Sequence, residues 1–354
     1  MILWVLTKTG KTKMQLSIEP HCLAFSKPAT TSRGAYTEKT SWVLRLQKGK
    51  IIGLGEASPL AGLSVDYSAD YIDILAPEIN KVQSEESIRG LLEHWMPGKT
   101  CPLPALRFAL HCALLDFQAG GLGIWVKNSF TQGKIGLPIN GLVWMDNPEA
   151  MLKEAKQKIA SGFECIKIKV GSEDFDKECR LLESIRKQFS PFKLELRLDA
   201  NGSFMPDTTL QQIKDLSRFS IHSIEQPVPA AFGGLDEICH CSTIPIALDE
   251  ELVGLNFDDG AKRLLWAKPH YIVLKPTLLG GLDLAERWIS IAKQYNIGWW
   301  STSALEGSIG LSAIAQWVSQ FGSPLCQGLG TGELYTDNFP KRTAMRSNSL
   351  WFLP

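Results

Sequence analysis

Neither sign of charge is in excess in this 354-residue chain: lysine and arginine together number 37, and so do aspartate and glutamate. No overall field draws it to nucleic acid or to an anionic membrane, so any preference for a charged partner has to be local. Paired cysteines are missing as well. The eight present (Cys22, Cys101, Cys112, Cys165, Cys179, Cys239, Cys241 and Cys326) have no C-x-x-C spacing. That argues against a zinc ribbon or a disulfide framework and fits a reducing compartment. Long apolar runs are absent too: the opening one stops at residue 6, with Lys8, Lys11 and Lys13 close behind. It is too short for a signal-peptide core and far too short to cross a bilayer, so the expectation is a cytoplasmic protein.

What the chain has is apolar content and order. At 44% hydrophobic residues it can bury one barrel-sized core plus a smaller domain. Its 11 tryptophans form no stripe and are assigned to packing. Residues 1–13 read as a loose extension. Beyond them, Met14–Phe25 reads as a strand, and Ser41–Gln47 and Ile51–Glu56 as a hairpin about Lys48-Gly49-Lys50. Helical patterns follow over 66–79, 84–95 and 103–119. Strands followed by helices predict an α+β domain over 1–130.

From 131 to 330 the pattern alternates strictly. Apolar strands are expected near 139–144, 165–170, 194–199, 221–225, 245–249, 271–275, 297–301 and 324–327. Helices are clearest at Pro148–Ala160, Asp174–Gln188, Pro206–Leu216, Leu282–Tyr295 and Ser308–Phe321. This is the text of an α/β barrel. Residues 331–354 are expected to return to the first domain.

Charged residues recur in phase with those strands. Asp199, Glu225, Asp249 and Lys275 are 26, 24 and 26 residues apart, and Lys167 and Lys169 lie one unit earlier. One β/α unit takes about 25–30 residues, so each falls at the same rim of a barrel. Alone, each is ordinary: Asp199-Ala200-Asn201-Gly202 is turn chemistry, and Glu225 or Lys275 before a proline merely ends a strand. Independent loop charges have no reason to fall at successive strand ends. Three carboxylates without histidine or cysteine suit a hard cation, Mg²⁺ with Mn²⁺ as a substitute, and disfavour zinc. A dication and a second lysine nearby would depress a lysine's pKa toward that of a working base.

These stretches resemble the muconate-lactonizing-enzyme branch of the enolase superfamily. The residues that carry the resemblance are Lys167-Ile168-Lys169, Leu198-Asp199-Ala200-Asn201-Gly202, Ile224-Glu225-Gln226-Pro227, Ala247-Leu248-Asp249-Glu250 and Leu274-Lys275-Pro276. Gly55-Glu56-Ala57-Ser58-Pro59-Leu60 and Ser303-Ala304-Leu305-Glu306-Gly307-Ser308-Ile309-Gly310 support it. The resemblance implies a (β/α)₇β TIM-like barrel under an α+β capping domain, with Asp199, Glu225 and Asp249 holding Mg²⁺. Glu250, next in line, is the alternative ligand, but strand neighbours point to opposite faces, which leaves it behind Asp249. Lys169 is implied as the base, Lys167 as its electrostatic partner and Lys275 as the cation across the site. Asn201 and Arg197 are implied as supporting residues.

Within the branch the chain is most similar to the members that form o-succinylbenzoate. The implied reaction is a lyase step of menaquinone biosynthesis, syn elimination of water from 2-succinyl-6-hydroxy-2,4-cyclohexadiene-1-carboxylate. The second carboxylate of that substrate needs a seat. The helix opening over Leu305–Gly310, with Ser303, Glu306, Gly307 and Ser308, offers free N–H donors for it, and Arg33 in the Thr31–Gly34 loop is a second candidate.

The rivals are an N-succinyl amino acid racemase or dipeptide epimerase, which share the metal and both lysines, and a noncatalytic anion-binding barrel. The Asp-x-Asp pair of dipeptide epimerases is missing from Gln327–Tyr335. Retention of all three lysines beside all three acids counts against the noncatalytic reading.

Overall fold

Antiparallel pairing builds the first layer. In this computed structural model, which describes residues 3–4, 14–31, 34–95, 101–171 and 174–353, strands Gln15–Thr31, Gly34–Lys48 and Ile51–Ala57 pair in order. Two run longer than their apolar alternation suggests, because their far ends leave the sheet and reach over the barrel. A register shift between Ala24 and Ala29 marks the departure. Of the expected loose extension, Leu3–Trp4 pairs with Ser17 and Ile18, and the remainder of 1–13 lies outside the described residues.

Helices Tyr71–Ile79, Glu85–His94 and Pro104–Gln118 cover this sheet. The last is buried nearly all round, as befits a helix between a sheet and a second domain. It packs unusually close, and the sheet supplies glycines to allow it. A side chain at Gly53 or Gly55 would collide with the backbone carbonyls of Ala113 or Ala109.

Arg107 on that helix fastens the two domains. It is fully buried, donates to Leu92 O at 3.1 and 3.2 Å and to Gly280 O at 2.7 Å, and grips both oxygens of Asp283 at 2.8 Å. Such a planar, bidentate pairing suits arginine and not lysine.

The barrel is a seven-stranded parallel sheet of Gly141–Val143, Cys165–Lys169, Glu195–Asp199, Ser223–Glu225, Ile246–Leu248, Tyr271–Leu274 and Gly298–Ser301. The eighth strand, expected at 324–327, is reduced to bridges from Gln327 to Ile139 and from Gly328 to Thr302. Pro324 carries no N–H for a ladder. The Gln327 side chain takes over part of it by accepting from Ser301 N at 2.8 Å. These bridges close the curl, giving the (β/α)₇β architecture.

Outer helices fall at Pro148–Ala160, Phe175–Arg186, Pro206–Ser217, Leu235–Cys241, Phe257–Ala267, Leu282–Gln294 and Ser308–Val318. The C-terminal segment divides its contacts. Tyr335 bridges to Phe25 of the first domain, whereas Ser349–Phe352 pairs with Leu137–Pro138 beside the barrel. Among the described residues no helix is long and apolar enough to cross a membrane.

Candidate active site

Parallel register brings the in-phase charges together. Lys167 stands opposite Arg197, Lys169 opposite Asp199, and Asp199 opposite Glu225 on neighbouring strands. Apolar Ile166, Ile168, Leu196 and Leu198 alternate with them into the core beneath the helices. Asp199, Glu225 and Asp249 are at most 2% exposed.

The ammonium of Lys167 lies between two of the acids, 2.9 Å from Asp199 Oδ2 and 3.0 Å from each oxygen of Glu225. Lys169 Nζ donates to Asp199 Oδ2 at 2.6 Å and to Asn201 Oδ1 at 2.7 Å. Lys275 arrives from across the barrel and pairs with Asp249. Among the described residues no three acid, histidine or cysteine side chains form a finished coordination cage. The lysines stand between the carboxylates instead. The donor set still fits a hard dication: three buried carboxylates on adjacent strand ends supply oxygen only.

Electrostatics divide the site. Burial and the adjacent Asp199 push the Glu225 carboxyl well up, against the pull of Lys167. Asp199 is also buried, but Lys167 and Lys169 together hold it well below the usual carboxylate range. Burial outweighs the Lys275 ammonium at Asp249 and raises that carboxyl. Burial lowers Lys169, Asp199 opposes this, and Lys167 reinforces it, so the net direction is down. Burial alone would also lower Lys167 and Lys275, but their carboxylate partners win and raise both. One lysine of the three is thus biased toward the free amine.

Asn201 and Glu250 complete a relay of orientation. Asn201 takes a left-handed backbone (φ 47) that asparagine tolerates, donates its amide to Glu250 Oε1 at 3.0 Å, and so turns its oxygen toward Lys169. Glu250 therefore supports Asn201 from behind.

Gln226 was not among the expected site residues. It is fully buried, and its side-chain oxygen accepts from Asp249 N and Glu251 N, each at 3.2 Å, fixing the loop that carries Asp249. A polar residue directly after a strand-end acid was its only trace in the sequence.

Above these groups lies a cavity of about 660 Å³ including its open mouth, with Lys167, Lys169, Asn201 and Lys275 on one side. Leu60, Leu63, Tyr36, Trp144 and Leu305 form an apolar wall on it. Ser303 also lines it, but its hydroxyl is engaged by Glu306 at 2.6 Å.

Two expectations are corrected here. The helix at Ser308 is no free anion seat: Gly307 N and Gly310 N donate to Glu56 Oε1 and Oε2 at 2.6 and 2.8 Å, and Ser308 N donates to Asn338 Oδ1 at 2.9 Å. The anion at this helix start is the protein's own Glu56, also held by Ser41 at 2.5 Å. Glu306 is likewise spent, accepting from Thr277 at 2.5 Å and from Ala304 N. Arg197 lies in the layer below the cavity. It bonds Glu195 at 2.7 Å and Cys326 O at 2.9 Å and stacks 4.4 Å from the Trp300 ring. Arg33 lies outside the described residues.

Residues 150–346 match the family model described as enolase C-terminal domain-like. The chain is 42% identical to an o-succinylbenzoate synthase of Desulfotalea psychrophila, over 94% of its own length and 97% of the relative's. The crystal structure of MenC from the same organism superposes with a TM-score of 0.85 at 39% identity, covering 96% of this chain and 99% of that one. A dipeptide epimerase from Enterococcus faecalis, crystallised with Mg and a dipeptide, gives a TM-score of 0.83 at 19% identity, with 97% of each chain covered. That last likeness is one of fold.

Proposed function

The chain belongs to the enolase C-terminal domain-like family, and on that premise we propose that it forms o-succinylbenzoate by eliminating water from 2-succinyl-6-hydroxy-2,4-cyclohexadiene-1-carboxylate. Identity of 42% along nearly the whole of an o-succinylbenzoate synthase supports this over epimerisation. The observation that carries the mechanism is Lys169 on the cavity wall, biased toward its neutral form and turned by Asn201, with Lys275 facing it from the far side.

Asp199, Glu225 and Asp249 would hold Mg²⁺, whose charge, when bound, stabilises negative charge on the substrate's ring carboxylate. Lys169 removes the proton from the carbon bearing that carboxylate. The electron pair left behind forms the new ring double bond as the C–O bond breaks on the same face. The departing hydroxide takes the proton from Lys169, leaving water and an aromatic ring. Lys169 therefore ends as the free amine with which it began. Lys167 stays charged between Asp199 and Glu225 and keeps the pair from repelling, and Lys275 presents an ammonium to the opposite face of the ring. The long strands of the capping domain contribute Thr31 and Tyr36 to the cavity wall.

The test is turnover of the cyclohexadiene substrate with Mg²⁺ by wild type and Lys169→Ala, beside deuterium exchange at Cα of N-succinyl amino acids and dipeptides. Loss of at least about a thousandfold in kcat for Lys169→Ala is expected, with product binding kept. Wild type that exchanges Cα protons but never eliminates water would move the assignment to a racemase. Equal rates for the two proteins would remove Lys169 from the chemistry.

A further inference from the structure

Lys39 is a buried lysine with no part in the proton transfer. It lies on the strand Gly34–Lys48, is 8% exposed, and donates to two carbonyls, Ser58 O and Leu305 O, each at 3.1 Å. Burial brings its pKa down to about 8, although Glu306 and Glu56 pull the other way.

Leu305, whose carbonyl Lys39 binds, is strained. It is a non-glycine residue in the left-handed region (φ 62), a costly state for a bulky side chain. Its carbonyl accepts a second bond from Tyr335 Oη at 2.6 Å, while its N–H donates to Ser303 Oγ at 2.9 Å. Tyr335 belongs to the C-terminal segment, is 7% exposed, and rests its ring 4.7 Å from that of Phe25. Two buried donors from distant parts of the chain thus fill both lone pairs of one carbonyl on one strained residue.

What they hold matters to the cavity. The Leu305 side chain lines it beside Leu60, Leu63, Tyr36 and Trp144, in a small apolar cluster that also contains Tyr335 and is separate from both domain cores. The substrate's ring carboxylate is drawn to the lysines and to the cation the three acids would hold, so the rest of the molecule extends along this wall.

Resting on the elimination reaction above, we propose that Lys39 and Tyr335 are positioning residues: their paired bonds to the Leu305 carbonyl hold the apolar wall that receives the succinyl arm. A clamp needed only for folding would, when cut, lower the amount of active protein without discriminating among ligands. A clamp that shapes the wall discriminates.

The test compares wild type, Lys39→Met and Tyr335→Phe in steady-state kinetics with the cyclohexadiene substrate and in calorimetric binding of o-succinylbenzoate and of benzoate to the Mg²⁺-loaded proteins. For Lys39→Met, KM rises about tenfold while kcat stays within about threefold. Affinity for o-succinylbenzoate falls about tenfold and that for armless benzoate is kept. Tyr335→Phe preserves the ring contact, removes one hydrogen bond and follows the same pattern more weakly, so it answers even if Lys39→Met does not fold. Equal losses for both ligands, a fall in kcat alone, or no change in either variant would overturn the proposal. A wild type inactive on the cyclohexadiene would instead overturn the reaction, and the proposal with it.

Discussion

Glu56 is the acid whose removal tests the joint between the domains most directly. Its carboxylate accepts from Gly307 N at 2.6 Å, Gly310 N at 2.8 Å and Ser41 Oγ at 2.5 Å, and it is fully buried. Glu56→Ala leaves two backbone N–H groups and a hydroxyl without partners at the start of the helix Ser308–Val318. Each unsatisfied buried group costs about 1–3 kcal/mol. Relief of the buried charge returns part of this, because burial pushes the Glu56 carboxyl up despite its three donors. The net expectation is a loss of about 2–4 kcal/mol, or roughly 3–5 °C in Tm for a protein of this size. Glu56→Gln keeps an acceptor for Ser41 and Gly307 but turns an amide N–H toward Gly310 N, so its loss is intermediate. Urea titration followed by tryptophan fluorescence, with a thermal melt beside it, gives the order wild type, Gln, Ala. A Glu56→Ala protein within about 0.5 kcal/mol of wild type, the range of a surface substitution, would refute the account of how this helix is capped.

Other consequences follow from the same reasoning. Mg²⁺ at a hundredfold excess over its dissociation constant adds about 2.7 kcal/mol to wild-type stability; Asp249→Asn should lose most of that increment in a thermal melt, and an equal rise in both proteins would mean the acids do not hold the ion. Burial would raise Asp283, but the hydrogen bonds from Arg107 overcome it and hold the carboxyl below its ordinary range. Its contribution is therefore present above about pH 4 and lost as pH falls through the folded-state pKa. The stability advantage of wild type over Asp283→Asn in urea should shrink on acidification, and a gap constant down to pH 3 would contradict the ion pair. Lys39 has the same sign in a higher pH window: with its pKa lowered to about 8, the folded state binds fewer protons than the unfolded one above that pH. Stability of wild type relative to Lys39→Met should rise between about pH 8 and 10.5, by about 3 kcal/mol in all, and no rise would mean the amine is not buried as described.

How far the sequence could be read depended on whether a contact repeats. Lys169, Asp199, Glu225, Asp249 and Lys275 were legible because the barrel repeats one geometric unit, so a charge at each strand end shows as a period. Alternation told which way Arg197 points but not how high it stands. Two residues before Asp199 is about 7 Å lower along a strand, which puts Arg197 against Trp300, one layer below Lys169 and Asp199. Glu56 and Lys39 were harder still. Each sits in a strand whose alternation is ordinary, and each finds its partner through folding alone, Glu56 at a sequence distance of 251 and Lys39 at 266. The helix start at Ser308 looked like a vacant anion site because nothing local supplies its anion. The same non-local contacts give the catalytic rim its roof: Lys39 and Glu56, the latter held by Ser41, bind the loop and helix start after the seventh strand, so a cavity whose chemistry is encoded periodically in one domain is shaped by single residues of the other. Substrate selectivity should therefore respond to substitutions on the capping sheet that leave Lys169 and the three acids untouched.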